Sequence, residues 1–288
     1  MMDRLFVLLQ RLTPKYLLTA LVFRIARIRL VAVKNFLIRR FVALYRVDVG
    51  ELRHPVPEGF PTFNDFFIRE LAPGARPFED ADDAVASPVD GTVSAAGRID
   101  RNRLLQAKGI RYTLEELLAT DTADAEEYGG GAFATIYLAP YNYHRVHAPV
   151  AGKLKAARYV PGALYSVNDA TVSNLPGLFA RNERLVCHFG TAAGPMIMIF
   201  VGALNVGTIN CRWTGDIRPR NSGVVEQFDL GSLNAELEFD KGDTLGWFNM
   251  GSTVILLLPP GTSAGFNEIN DGQSVRMGEL IGRIVGGR

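Results

Sequence analysis

Cysteine is scarce: Cys187 and Cys211 are the only two in 288 residues, each in an apolar stretch. A disulfide framework needs more, and without a Cys-x-x-Cys pair no thiolate zinc site can be drawn. Two buried thiols in a reducing compartment fit this usage. Long hydrophobic runs are missing from the aliphatic first part of the chain. Within residues 1–50 the longest uncharged run is Tyr16–Phe23, eight residues, against the roughly 20 that a spanning helix needs. That segment has no serine and no clean apolar centre followed by small residues, so it reads as neither a transit nor a signal peptide. Glycine (29) and proline (15) are too few for a low-complexity chain. Walker and dinucleotide glycine patterns and a His-Glu-x-x-His helix are absent.

The composition present is that of an ordinary globular protein, 48% hydrophobic and 21% charged, with enough apolar material for a sizeable core. The net charge of +1 hides an asymmetry. Residues 1–50 carry ten Lys or Arg against Asp3 and Asp48, a net +8, and the remainder is −7. A basic arm on an acidic body points to an anionic partner surface. The arm is too aliphatic for a nucleic-acid module. Thr13 and Pro14 can open a helix in which Leu17, Leu21, Ile25 and Ile28 recur at helical spacing. Asn35 is placed to cap a further helix with Phe36, Leu37, Phe41 and Leu44. Basic amphipathic helices of this kind lie in the membrane interface. The competing reading is a helical hairpin packed on the body with its basic face solvated.

Pro55, Pro57, Gly59 and Pro61 read as a linker, and Thr62–Leu71 as a helix capped by Thr62 with Asp65 three residues on. Thr113 and Glu116 repeat that signal. Most of the remaining chain reads as strands: Phe133–Leu138, Leu154–Tyr159, Arg184–Phe189, Met196–Ile209, Gly223–Phe228, Ala235–Phe239 and Thr253–Leu258. The uncharged stretch Leu185–Cys211, broken by glycines and Pro195, reads as buried strands. Ser87-Pro88-Val89-Asp90-Gly91-Thr92-Val93 is repeated as Ala148-Pro149-Val150-Ala151-Gly152-Lys153-Leu154. Each copy predicts an extended residue before proline, a turn, then a strand. The expected fold is α+β: a mostly β body with pseudo-repeated hairpins, preceded by basic amphipathic N-terminal helices. The copies differ at Asp90, which aligns with Ala151, and the second copy is preceded by His147.

Four histidines occur: His54, His144, His147 and His188. His144 and His147 lie close together between Pro140 and Pro149. In a regular strand, positions three apart face opposite sides, so separate roles need only a strand and shared duty needs a turn. His144, His147 and His188 with Asp90 could also supply a zinc site. Ser252, in Met250-Gly251-Ser252-Thr253, enters the last strong strand. Taken alone it reads as a turn residue, as does Ser232 after Gly231.

Several further segments stand in one order along most of the chain. They are Phe63-Asn64-Asp65-Phe66-Phe67-Ile68-Arg69-Glu70-Leu71, Gly74-Ala75-Arg76-Pro77, Ser87–Gly91, Tyr143–His147, Pro161–Asn168, Asn182-Glu183-Arg184, Val201-Gly202-Ala203 and Met250–Thr253. With them the chain resembles the phosphatidylserine decarboxylases of the membrane-associated, pyruvoyl-dependent bacterial proenzyme type. Met250 departs from the family's leucine at the cleavage tetrapeptide, a change that keeps volume and polarity. His188 stands where an aliphatic residue is expected and receives no role.

The resemblance implies a membrane-interface region, 1–50, and a catalytic domain, 51–288, that cuts itself between Gly251 and Ser252. Asp90, His147 and Ser252 would form a serine-protease-like triad: His147 takes the Ser252 hydroxyl proton, and Asp90 fixes its tautomer. The resulting ester eliminates, leaving a covalent pyruvoyl (pyruvate-derived) group at residue 252 and chains 1–251 and 252–288, paired as a heterodimer that could assemble further. That group would form a Schiff base with phosphatidylserine and act as the electron sink for loss of CO₂, giving phosphatidylethanolamine. His144 is the candidate proton donor. Tyr137 and Tyr141 could line the pocket or simply pack on a strand face. No metal is implied. A peripheral place on the cytoplasmic side of the cell membrane would follow, with an anionic lipid surface as partner. The alternatives are a pyruvoyl decarboxylase of another amino compound, a non-catalytic β-hybrid carrier or binding module, and the zinc hydrolase.

Overall fold

A computed structural model describes residues 2–107, 109–120, 122–204, 208–220, 222–233 and 237–285. Helices α1 (Met2–Leu12), α2 (Lys15–Ala26) and α3 (Val31–Tyr45) form the arm, followed by the short α4 (Phe63–Phe67). Strands β1 (Ala84–Ala86), β2 (Gly91–Arg98), β3 (Arg103–Ala107) and β4 (Ile110–Thr113) lead to α5 (Leu114–Leu118) and α6 (Thr122–Tyr128). After β5 (Ala132–Leu138), β6 (Arg145–His147) and β7 (Gly152–Val160) come α7 (Asp169–Val172) and α8 (Leu178–Arg181). The chain continues through β8 (Arg184–Thr191), β9 (Gly194–Val201), β10 (Ile209–Cys211), β11 (Gly215–Ile217), β12 (Glu226–Gln227), β13 (Glu238–Phe239) and β14 (Thr244–Phe248). It ends with β15 (Ser252–Leu258), β16 (Ser263–Gly265), β17 (Ser274–Val275) and β18 (Leu280–Ile284). The α+β expectation holds.

An antiparallel sheet in the order β12-β7-β8-β9-β15-β5-β2-β17, with β13 also on β7, forms the middle layer. The strand β15 lies in its interior between β9 and β5 and is buried along its whole length. Each of Val254, Ile255, Leu256 and Leu257 is fully buried, a contribution of about 1.5–3 kcal/mol per side chain. One face is covered by a small sheet, β11-β10-β14-β6, through contacts such as Phe200 with Phe248, ring centroids 5.6 Å apart. The other face is covered by helices. Arg184 extends from it to the carbonyls of Glu116 and Leu117 in α5 (2.5 and 2.6 Å). The capping box expected at Thr113 and Glu116 is present at the start of α5.

The repeat is the centre of the architecture. Both copies start a strand at their glycine, β2 at Gly91 and β7 at Gly152, and both strands lie next to a sheet edge. The copies bond each other reciprocally: Ala86 N–H donates to Pro149 C=O (3.0 Å) and His147 N–H to Pro88 C=O (2.9 Å). The equivalence continues outward. Ser87 exchanges bonds with Glu279 and Gly278, as Ala148 does with Asp243 and Gly242. The pseudo-symmetry read from the sequence is therefore a pseudo-twofold of backbone hydrogen bonds, with His147 fixed two residues from the Asp90 turn.

Several boundaries differ from the sequence reading. The helix expected over Thr62–Leu71 stops at Phe67, although Thr62 caps it (Asp65 N–H to Oγ1, 3.1 Å). The chain leaves the helix so that Arg69, 4% exposed, can donate to the carbonyls of Phe67, Tyr141 and Asn142. Asn35 lies inside α3 rather than at its cap, and its side chain accepts from Lys34 Nζ (2.8 Å). Pro14 precedes α2 rather than filling its first position. Of the strand expected over Met196–Ile209, β9 ends at Val201 and β10 begins at Ile209, and residues 205–207 lie outside the described residues. Of the strand expected over Ala235–Phe239, residues 235 and 236 lie outside the described residues.

The arm is docked by polar and aromatic contacts. Gln10 bonds Thr171 Oγ1 and Ser166 N–H (3.0 and 2.8 Å), and Tyr16 donates to Gly162 C=O (2.6 Å). Phe41 of α3 packs edge-on against Phe63, Phe66 and Phe67. Ala26, Ile38 and Val47 share a core with Phe60 and α4, so this packing crosses residue 50. Among the described residues no single helix is long and apolar enough to cross a membrane, and α2 lies at 87° to the Phe6–Leu12 part of α1.

The close approach at Gly91 generates a test. A Cβ there would lie 2.5 Å from Tyr137 O of the neighbouring strand, whereas one at Gly251 meets nothing within 4 Å. With Ser252→Ala as background, Gly91→Ala should lower stability by about 1–3 kcal/mol, read as a fall of several degrees in Tm. Gly251→Ala should leave Tm within about a degree. Equal Tm values for both variants would contradict the packing described.

Candidate active site

The Gly251–Ser252 bond lies between two layers. Strand β14 ends at Phe248, whose N–H donates to His144 C=O (3.1 Å). Asn249 is clamped on both sides: Asn64 of α4 donates to its Oδ1 (2.9 Å), and its own N–H donates to Thr208 C=O (3.1 Å). Met250 then takes φ +110°, a region that side-chain-bearing residues avoid at a cost of about 1–3 kcal/mol. Gly251 follows, and Ser252 begins β15 opposite Leu138. Thus the peptide next to the predicted scissile bond is strained, and clamps on either side hold the strain in place.

Ser252 is fully buried, and its Oγ has no hydrogen-bond partner among the described residues. His144 is fully buried too, with its ring on Phe67 (centroids 4.1 Å). Its Nδ1 lies 2.8 Å from Asn142 O. A carbonyl can only accept, so Nδ1 carries the proton and Nε2 presents a lone pair. That Nε2 is likewise buried without a partner among the described residues. Burial first, and the nearby Arg69 guanidinium second, push its pKa down to about 3. At neutral pH His144 is therefore a base and holds no spare proton. To act as the donor expected from the sequence, it must first collect one.

His147 and Asp90 stand differently from the hydrogen-bonded relay expected of them. His147 Nδ1 donates to Gly242 C=O (2.7 Å), and Nε2 accepts from the Tyr143 hydroxyl (3.0 Å). The carbonyl of Gly242, rather than Asp90, fixes the tautomer. Asp90 accepts from Arg76 Nη2 (3.0 Å) and from Met277 N–H (2.8 Å), and Arg76 also pairs with Glu51. Asp90 still acts on His147 through space, favouring its charged form, but burial outweighs this and lowers the imidazole pKa. The structure thus brings Asp90 and His147 to neighbouring turns of the repeat, and Ser252 and His144 into the buried layer, without joining Asp90, His147 and Ser252 by hydrogen bonds.

A cavity of about 290 Å³ adjoins the bond, lined by Phe41 and Tyr45 of α3 together with Phe67, Tyr137, Met250 and Gly251. Tyr137 thus lines it. Tyr141, 48% exposed, instead lines a polar cavity with Asp90, Arg69 and Arg76. His188 lies in β8 beside Arg158 (3.2 Å). Among the described residues no three His, Cys, Asp or Glu side chains converge in a metal-ligand cluster. Arg76, Tyr143 and Gly242 were missed as members of the site. Only Arg76 and Tyr143 fall in motifs that sequence reading singled out.

The burial of His144 makes stability depend on pH. Its folded pKa lies below the ordinary value of 6.5, so the unfolded chain binds the proton first as pH falls. Stability from this group is intact above about 6.5 and is lost towards about 3, by up to about 1.4 kcal/mol per pH unit. In a Ser252→Ala background, urea unfolding should show a shallower acid decline for His144→Gln than for its parent. Parallel pH profiles would contradict the neutral, buried state.

A family model for phosphatidylserine decarboxylase matches residues 63–283, and a second, described as PSD, matches residues 5–46. The phosphatidylserine decarboxylase proenzyme of Methylococcus capsulatus is 47% identical over 279 residues, covering 97% of this chain and 96% of that protein. The proenzyme of Marinobacter nauticus is 45% identical over 286 residues, covering 99% of each chain. That of Acidovorax ebreus is 44% identical over 286 residues, covering 99% of this chain and 100% of that protein.

Proposed function

Since the chain belongs to the phosphatidylserine decarboxylase family, we propose that it is a proenzyme that cuts itself at Gly251–Ser252 and then converts phosphatidylserine to phosphatidylethanolamine and CO₂. The observation that carries this reading is the strained Met250 beside a buried Ser252, whose hydroxyl, like the His144 lone pair, has no partner among the described residues. Buried polar atoms are nearly always paired, and a nucleophile and a base left unpaired in one layer suit chemistry better than packing.

In cleavage, Ser252 Oγ attacks the Gly251 carbonyl while His147 takes the hydroxyl proton at Nε2. To do so, His147 has to release the Tyr143 hydroxyl. The Gly251 C–Ser252 N bond then breaks, its electron pair stays on nitrogen, and His147 passes the proton to the freed amine, leaving an ester between the two residues. Asp90, held by Arg76 and Met277, favours the imidazolium that forms. Residue 252 fits the group expected there, because a pyruvoyl unit arises from serine in place and the adjoining cavity admits a substrate headgroup. Such a group supplies an electron sink for loss of CO₂. His144 Nε2 accepts a proton from the headgroup ammonium, which the amine must shed before reacting, and returns it at the carbon that CO₂ leaves. Phe41, Tyr45 and Phe67 keep bulk water from this exchange.

The arm supports a place at the lipid surface. Leu17, Leu21 and Ile25 on α2, Ile28 and Leu30 in the link that follows, and Phe36 and Leu44 on α3 are exposed within residues 1–50, a segment that carries a net +8. Each base near an anionic surface adds about 1 kcal/mol, and the cavity wall is built from the same helix α3. On this reading the protein is peripheral on the cytoplasmic leaflet and draws substrate sideways from the bilayer.

Intact mass under denaturing conditions should resolve chains 1–251 and 252–288 whose masses sum to the precursor plus water minus ammonia. Ser252→Ala, His147→Ala and Asp90→Asn should stay whole. Tyr143→Phe, which removes the competitor for Nε2, should be cut at least as fast as the parent, and His144→Ala should be cut yet decarboxylate poorly. A whole parent chain would defeat the proenzyme reading. For the lipid surface, vesicle flotation should show anionic vesicles binding the protein in a salt-sensitive way, weakened in Leu17→Ser/Leu21→Ser/Ile25→Ser. Unchanged flotation of that variant would remove the arm from membrane binding.

A further inference from the structure

The motifs Asn182-Glu183-Arg184 and Val201-Gly202-Ala203 meet beside residue 252. Arg184 lies opposite Val201 across β8 and β9, and Val201 lies opposite Thr253 across β9 and β15. One step along, Gly202 stands between Glu183 and Ser252, and its N–H donates to Glu183 C=O (2.9 Å). Residues opposite one another share a face of the sheet, so Glu183 and Ser252 project to the same side. Their Cα atoms are two strand spacings apart, about 10 Å. The Glu183 side chain reaches over the intervening strand, as far as Gly202. A Cβ on Gly202 would lie 2.7 Å from both its Cγ and its Oε1, so the carboxyl lies directly over the bare Gly202 Cα.

Glu183 is 1% exposed. Its Oε2 accepts from the Tyr159 hydroxyl (2.8 Å), whose oxygen accepts in turn from Arg220 N–H (3.0 Å). Its Oε1, on the carboxyl that covers Gly202, is buried with no partner among the described residues. The charged and titratable groups facing it are few. Tyr159 comes from β7, Tyr16 from α2 lies close enough for Glu183 to help raise the Tyr16 pKa, and Arg220 stands over the Tyr159 ring at 5.6 Å. Burial pushes the Glu183 pKa up to about 8, and both phenols are raised by burial as well. With Oε2 occupied as an acceptor, the proton of the neutral acid belongs on Oε1.

We propose that Glu183 is a further catalytic residue of maturation: its Oε1–H, reaching over Gly202, protonates the ester oxygen that leaves Ser252 Cβ during elimination. The inference rests on Ser252 being the self-cleavage serine. A neutral imidazole removes the Ser252 Cα proton, and the C–H electron pair becomes the Cα=Cβ bond. The Cβ–Oγ bond breaks, and its pair stays on Oγ, which departs as the Gly251 carboxyl carrying the Glu183 proton. The imidazolium and the Glu183 carboxylate then return to their starting states through solvent. Gly202 is glycine because any side chain would displace the acid.

The test tracks chain processing and needs no decarboxylase assay. Full-length protein is made by cell-free synthesis on anionic vesicles, across a pH series on both sides of about 8. Intact masses are read over time, with and without hydroxylamine, which cleaves esters and would split any accumulated 251–252 ester. In the parent, conversion should slow about tenfold per pH unit above the Glu183 pKa. Glu183→Gln keeps a donor that does not titrate and should lose that alkaline decline. Glu183→Leu and Gly202→Ala should slow conversion at least tenfold and accumulate hydroxylamine-sensitive chain. If Glu183→Leu fails to fold, the parent and Glu183→Gln profiles decide. Parental conversion in Glu183→Leu, or an unchanged alkaline decline in Glu183→Gln, overturns the assignment. An uncut parent instead overturns the self-cleavage reading.

Discussion

The reciprocal pair of backbone bonds between the two Pro-Val-x-Gly units is the constraint on which the site depends. Ala86 to Pro149 and His147 to Pro88 lock the copies face to face. Each copy then launches a strand near one edge of the main sheet, so the same bonds set the spacing between the sheet and the small layer covering it. Asp90 is placed by the first copy and His147 by the second. The symmetry supplies the scaffold, and the residues proposed for the chemistry stand where the copies differ, Asp90 against Ala151 and His147 against Ala86.

Desolvation governs the electrostatics inside that frame. His144 and His147 both face burial, and for both it outweighs the charges and hydrogen bonds that would protonate them. The result is two neutral imidazoles, each with a lone pair on Nε2, open in His144 and engaged by the Tyr143 hydroxyl in His147, the state a base requires. Glu183 answers the same physics in the opposite sense, because a buried carboxyl keeps its proton. One dry layer thus prepares bases and an acid together, and the strain at Met250 is held by Asn64 and Thr208 on either side of Asn249.

Much of this was legible in the sequence. The repeat could be read because Pro and Gly impose backbone geometry locally, and the capping box at Thr113 because its partners are three residues apart. Strand interiors such as Val254–Leu257 were legible from continuous apolar character. What escaped depends on contacts across long separations. The end of α4 is set by Arg69 reaching Tyr141 and Asn142, and the interior place of Asn35 by the docking of α3. Asp90 and His147 were found, but their partners were not, since Gly242 contributes a carbonyl that any residue could offer. Glu183 stood in a recognisable motif, and only the sheet register brings it beside Ser252.

The position of β15 has a consequence for the protein's life after cutting. The proposed break falls at the first residue of an interior strand, hydrogen-bonded to β9 on one side and β5 on the other. Farther along, β17 zips onto β2 and β18 onto β1, and Met277 holds Asp90. The severed piece therefore remains woven into the fold, and loss of one covalent bond changes the native packing little. It changes unfolding greatly. The precursor can unravel and re-form as a single molecule, but the nicked form separates into two bodies whose reunion depends on concentration. Maturation thus turns a reversible equilibrium into a ratchet, and endurance becomes a matter of how slowly the sheet opens.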